Sequence, residues 1–209
     1  STPKPSSAAS DVYKETANKK QTGKSHMQKA RKIMYIFRKG TKDDISQIAQ
    51  IYDHILTEEE SGRTVIGWVR GIYPTAATAE EALRADELFV LEDEGVVQAA
   101  ARINRIQVPE YANADWEYSD AQEDQIMVLH TLVVEPKSGG RGYGSAFVDF
   151  YEKHALEQGC PYLRMDTNEK NAAARRLYAR LGYKEIGIVD CEFNGIAGVH
   201  LVCLEKSLA

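Results

Sequence analysis

The sequence predicts an α/β (α+β) chain over its 209 residues. Three observations predict it. Ile126–Val134 is a nearly continuous apolar run, the mark of a strand covered on both faces. Apolar residues recur at spacings of three and four in 45–55 and again in 174–181, as amphipathic helices require. Between these regions a glycine-rich junction, Gly139–Gly144, joins an apolar strand directly to a helix.

The elements follow in order. Residues 1–32 hold eight Lys/Arg against two acids, a balance of +6, which leaves −11 for residues 33–209. Residues 1–26 are rich in Ser, Lys, Ala and Thr without apolar periodicity, so 1–32 reads as a flexible basic arm. Ser25-His26-Met27 resembles a cloning-site junction, and the arm reads as partly vector-derived or as a regulatory tail. The folded domain is expected at 33–209. Ile33–Arg38 is a first strand. Thr41–Asp44 is a capping-box-like start for a helix carrying Ile45, Ile48, Ile51, Tyr52 and Ile55. Arg63–Arg70 and Thr78–Ala85 read as two further short helices. Leu88–Leu91 and Val96–Ile106 are strands joined by a turn at Glu92–Gly95. An acidic loop fills 109–124. Gly142–Leu156 is a helix, Tyr162–Met165 a strand, and Asn171–Leu181 a helix closed by Gly182. Lys184–Asp190 and Gly198–Glu205 are closing strands.

Composition narrows the function. With 43% hydrophobic and 27% charged residues, the chain reads as a soluble globular protein. No apolar stretch approaches ~18 residues, so no membrane is expected. The N-terminus lacks a signal-like apolar region, and Cys160, Cys191 and Cys203 show no metal-ligand spacing. The expectation is therefore a cytoplasmic protein with reduced thiols and no metal. The acidity of 33–209 argues against nucleic acid as a partner.

The junction Leu132–Gly144 carries chemistry. The apolar strand stops at Pro136, a loop holds Gly139, Gly140, Gly142 and Gly144, and a helix starts at once. The first N–H groups of a helix have no intrahelical partners, and its N-terminus carries about half a positive charge. Glycines let this backbone approach an anion, so the loop suits a pyrophosphate, and Arg141 adds a charge. A P-loop would need a Gly-Lys-Ser/Thr ending, which Gly144-Ser145-Ala146 lacks. A dinucleotide fingerprint would need glycine where Ser145 stands. A ligand-free strand–helix turn is the bland alternative.

A second element decides among these. Val134-x-Pro136, Arg141-Gly-Tyr-Gly144 and Asn171-x-x-Ala174-x-x-x-Tyr178-x-x-x-Gly182-Tyr183 together resemble the GNAT superfamily of N-acetyltransferases. The resemblance implies a central mixed, mostly antiparallel twisted sheet of about six to seven strands flanked by helices, with splayed strands at the coenzyme site. It implies acetyl-CoA as acetyl donor and a primary amine as acceptor. Leu132, Val133 and Val134 would bind pantetheine through their main chain, and the amides of Gly139, Gly140, Arg141, Gly142, Tyr143, Gly144 and Ser145 would hold the pyrophosphate. The family's loop usually opens on Gln or Arg, where this chain has Gly139. Asn171 would lie near pantetheine, or serve only as a helix cap. Tyr178 would protonate the departing thiolate, or serve only as a core residue.

The implied reaction is direct attack of the amine on the thioester, with the oxyanion on a strand amide such as that of Val133. The ammonium must first lose a proton, and His130 is the leading base. Glu117 and Asp124 are weaker candidates. Residues 106–136 hold seven acids and no Lys or Arg, and Glu58–Glu60 end the first helix. This acidity favours a small cationic acceptor, with Trp68, Tyr73, Trp116 and Glu117 as pocket residues. A solvated acidic surface is the alternative. So are a protein lysine or N-terminal acetyltransferase and a non-catalytic acetyl-CoA sensor. A homodimer stays open.

Overall fold

A computed structural model describes residues 13–14 and 35–209. The expectations for the rest of the basic arm, and for the first two residues of the strand predicted from Ile33, lie outside the described residues.

One sheet organises the chain. Its strands are β1 (Tyr13–Lys14), β2 (Tyr35–Lys39), β3 (Leu88–Asp93), β4 (Val96–Asn104), β5 (Ile126–Val134), β6 (Tyr162–Asn168), β7 (Lys184–Phe193) and β8 (Ile196–Ser207). They stand in the order β1-β2-β3-β4-β5-β6-β8-β7. The sheet has eight strands with the two-residue β1 and seven without it. Every neighbouring pair is antiparallel except β5 and β6. Parallel neighbours need a crossover, and α3 (Tyr143–Glu157) supplies it.

Helices cover both faces. The aromatic face of α3 (Phe147, Phe150, Tyr151) packs with Tyr178 of α4 (Ala172–Arg180) on Phe89, Leu91, Met127 and Leu129. On the opposite face α1 (Ile45–Glu60) and α2 (Ala76–Arg84) pack on Leu88, Val90, Ala100 and Val133. A third apolar cluster joins Tyr111 to β5, β7 and β8.

The helix expected at Arg63–Arg70 is not formed; residues 61–75 are an irregular loop. Thr64, Val65 and Ile66 are β-branched, and Gly67 holds left-handed backbone at φ +88°. The glutamates that end α1 fix this loop. Glu58 accepts from Arg63 at 2.6 and 2.8 Å, Glu59 accepts from the N–H groups of Ile66 and Gly67 at 2.5 and 3.0 Å, and Glu60 accepts from Arg70 at 2.7 Å.

Two irregularities in β5 shape the centre of the sheet. Ala100 stands opposite Val133 but Arg102 stands opposite His130, so β5 carries one extra residue there. Thr131, at φ +52°, absorbs it. Such a bulge inverts the side-chain alternation. Met127 and Leu129 face α3, and after the bulge so do Leu132 and Val134, while Val133 faces α1. The second irregularity is a splay. Pairing of β5 with β6 runs only from Ile126↔Tyr162 to Leu129↔Met165. Beyond it β5 stays with β4, and Asp166–Asn168 stay with β8.

Candidate active site

The splay opens a wedge in the middle of the sheet. Glu135 N–H donates to Gln98 O at 2.8 Å, and antiparallel bonding alternates. Val133 therefore exchanges its bonds with Ala100, and the backbones of Leu132 and Val134 turn toward the wedge. The strand amide expected from Val133 is thus engaged with β4, and its neighbours carry the open edge.

A cavity of about 360 Å³ fills the wedge. One side is Leu132–Val134, and the other is Asp166–Asn168 with Asn171 and Tyr178. Loop 61–75 and the β7–β8 hairpin tip roof it. The roof fits closely: a Cβ on Gly67 would lie 2.3 Å from the Asn168 amide nitrogen. Asn171 caps α4, accepting from Ala174 N–H at 3.1 Å through Oδ1, and lines the cavity as well. Tyr178 is buried beside Tyr183, and burial followed by the charge of Asp166 raises its hydroxyl well above the ordinary phenol range. The phenol therefore stays protonated, as a proton donor must.

At the outer end of β5 lies the glycine loop. A short 3-10 turn, Pro136–Ser138, precedes it. Gly140 and Gly142 hold left-handed backbone at φ +79° and +82°, which glycine adopts without strain. Gly142 is the N-cap of α3 and its carbonyl accepts from Ala146 N–H at 3.0 Å. The N–H groups of Tyr143, Gly144 and Ser145 are left at the helix mouth. Gly144 has a packing reason too, since a Cβ there would meet Leu177 at 3.3 Å. The Tyr143 ring is buried in the core and its hydroxyl donates to Asp93 at 2.5 Å, so only its backbone faces the loop. Arg141 is exposed, 3.0 Å from the Tyr143 hydroxyl. Arg180 at the end of α4 reaches Ser145 Oγ at 3.3 Å and adds a cation that no motif announced.

A second cavity, of about 370 Å³, lies on the α1–α2 face. It shares Tyr73, Thr131, Asp166, Phe193 and Asn194 with the first. Tyr73 and Thr131 hydrogen-bond to each other at this shared wall. His130 lines the second cavity only. Its Nε2 meets Asn104 Oδ1 at 2.8 Å, and that oxygen also accepts from Ile106 N–H at 2.9 Å. Nε2 is therefore the donor. Burial, then the charge of Arg102, lowers His130 to about 4. That is a poor proton acceptor near neutrality. Asp166, absent from the sequence expectations, is the opposite case. Burial raises it to about 6, although the Tyr111 hydroxyl donates to it at 2.8 Å.

Trp68 lines the first cavity and Tyr73 lines both. Trp116 and Glu117 line neither. Trp116 lies under the Arg164 guanidinium at 4.1 Å and donates to Tyr111 O, and Glu117 pairs with Lys184 at 2.8 Å on the surface. Asp124 belongs to the short turn before β5, outside both cavities. The acidity of 109–124 thus does not gather at the wedge.

This splayed strand, glycine-mouthed helix and buried tyrosine coincide with a family match. The Acetyltransferase (GNAT) family model matches residues 45–183. The chain belongs to the GNAT acetyltransferase family. It is an N-acetyltransferase with acetyl-CoA as its acetyl donor. Solved structures share the fold. A GNAT-family acetyltransferase from Streptococcus agalactiae 2603 is 19% identical, with a TM-score of 0.68 over 83% of this chain and 95% of its own. A putative acetyltransferase, yncA, from Salmonella typhimurium with its cofactor acetyl-CoA is 18% identical, with a TM-score of 0.60 over 83% and 93%. The ribosomal-protein-S18-alanine N-acetyltransferase from Escherichia coli is 16% identical, with a TM-score of 0.58 over 84% and 95%. In this GNAT enzyme the residues around the wedge fit acetyl-CoA. An unpaired strand edge suits the amides of pantetheine, and free helix amides with two nearby arginines suit a pyrophosphate. Among the described residues no helix is long and apolar enough to cross a membrane.

Proposed function

We propose that this enzyme acetylates the primary amine of a small molecule, which enters the second cavity as its ammonium ion. One observation carries the reading. Asp166 stands between the two cavities, partly buried, and no described cation pairs with it. A carboxylate held this way attracts an ammonium and has a raised affinity for its proton. The acetyl thioester reaches the same wall along Leu132–Val134. A concave cavity of about 370 Å³ is of the size that takes a small molecule.

The steps balance as follows. The ammonium gives one proton to Asp166. The amine lone pair attacks the thioester carbon, and the oxyanion meets the backbone N–H of Leu132 at the open edge. The C–S bond breaks toward sulfur, and Tyr178 supplies the proton. The new amide nitrogen sheds its second proton, which restores Tyr178. Asp166 returns its proton to solvent, so each turnover releases one. Asp166 takes the part that the sequence pattern assigned to His130, because a group at about 6 binds a proton more readily than one at about 4. Glycines 139–144 with Ser145 hold the pyrophosphate, and Asn171 meets pantetheine.

A panel of small amines, read by release of the CoA thiol, tests this. We expect turnover with at least one small amine and none with lysine-containing peptides. Release with peptides alone would overturn the reading.

A further inference from the structure

The second cavity is lined by a guanidinium as well as by a carboxylate. Arg102 of β4 lines it, opposite in sign to Asp166. Its Nε donates to Glu87 at 2.6 Å, and the same Glu87 oxygen accepts from Asn104 Nδ2 at 2.9 Å. The two terminal nitrogens of Arg102 make no hydrogen bond to a described residue. The guanidinium is therefore held at its base and unoccupied at its fork. Arg102 and Asp166 do not form an ion pair with each other, yet the Tyr73 hydroxyl feels both charges. The cavity is thus lined by a guanidinium whose fork makes no hydrogen bond to a described residue and by a carboxylate that no described cation pairs with.

An apolar or purely cationic guest would leave that fork unmatched. A guanidinium fork matches an oxyacid in two parallel hydrogen bonds. The acids that the sequence suggested as a cationic attractant are engaged elsewhere. Glu58–Glu60 hold loop 61–75, Glu117 holds Lys184, and Glu135 accepts from His54 at 2.8 Å. Glu81 also lines the cavity and is exposed to solvent, while Asp166 and the open fork of Arg102 suit an acceptor that carries both an ammonium and an acid group.

We infer that the acceptor is a small amino acid, whose ammonium pairs with Asp166 while its acid group is held by Arg102. This rests on the reading of the second cavity as the acceptor site. The acid group is a carboxylate or a similar oxyacid, and the molecule as a whole is near neutral.

The test compares matched acceptors on the full-length enzyme with saturating acetyl-CoA, read by thiol release. Each amino acid is run beside its amide and its decarboxylated amine. At least one free acid is expected to exceed both counterparts by about 100-fold in kcat/KM, as sites built for a polar group discriminate against its loss. Arg102→Gln is expected to erase that ratio, mainly through a rise in KM for the acid, and Arg102→Lys to restore part of it. The wild-type comparison stands even if a variant folds poorly. Amides or simple amines acetylated as well as the acids would overturn this inference and leave the small-amine reading intact. Absence of thiol release with every amine tried would overturn both.

Discussion

The two cavities, proposed as donor and acceptor halves of the site, are built by different means. The donor half is local in sequence. Residues 132–145 run continuously from open strand edge to helix mouth, and α4 adds Asn171 and Tyr178 a short distance on. The acceptor half is assembled from far apart. It takes Tyr73 from a loop, Arg102 from β4, His130 and Thr131 from β5, Asp166 from β6 and Asn194 from a hairpin tip. A site that binds an invariant coenzyme through backbone N–H groups can be written as a short motif. A site that must match one particular amine is written in side chains, and these are brought together by the sheet.

The comparison can be broken most sharply at Asp166. Asp166→Asn is expected to lower kcat/KM by about 1,000-fold, within the usual range for a lost general base, while acetyl-CoA affinity stays unchanged. Wild-type activity should fall as pH drops through about 6, where the carboxylate gains its proton, and the variant should lose that limb. Stability should move the other way. The folded value lies above the ordinary carboxylate value, so the folded state binds the proton more tightly. The associated stability is present at low pH and is lost as pH rises through about 6. Asp166→Asn should therefore raise the melting temperature at pH 7 and not at pH 4. His130→Gln, by contrast, should change kcat/KM by no more than ~5-fold if the proton goes to Asp166.

Tyr178→Phe probes the donor side. Turnover should fall by about 100-fold with the KM for acetyl-CoA held within ~2-fold, because the lost group acts on the leaving thiolate. Unchanged turnover would return Tyr178 to a packing role. Acetyl-CoA at about 100 times its Kd should stabilise the fold by about 2.7 kcal/mol, seen as a raised melting temperature, and NADH should not. The smallest effect is expected at the roof. Glu59→Ala frees the N–H groups of Ile66 and Gly67 over the first cavity, so the KM for acetyl-CoA should rise by about 5-fold, with the acceptor KM unaltered. A matching loss of acceptor affinity would show that the halves are not separable.

Much of the fold was legible. Periodicity located α1, α3, α4 and most strands, because each buries one stripe or two faces against its neighbours. The error at Arg63–Arg70 has a plain cause. Arg63, Ile66, Gly67 and Arg70 are held by the glutamates at the end of α1, and no helical pattern encodes a loop fixed by bonds from another element. Trp116 was read as a cation-binding aromatic, and it does meet a cation. That cation is Arg164, inside the fold. Arg180 was legible only as a helical residue, until α4 folded back onto Ser145.

The sequence by itself determined the acetyl donor and the family, since the glycines and the helix start after β5 lie in one contiguous stretch and leave a readable pattern. The tertiary structure alone decided which acids are free. Of the many carboxylates in 33–209, most are spent on arginines, lysines and backbone N–H groups that only folding brings near. Asp166 is left without a cation because the bulge at Thr131 and the splay beyond Leu129 open the sheet beside it. Charge in a sequence is a sum over residues, whereas the charge a ligand meets is what remains after the fold has paired the rest.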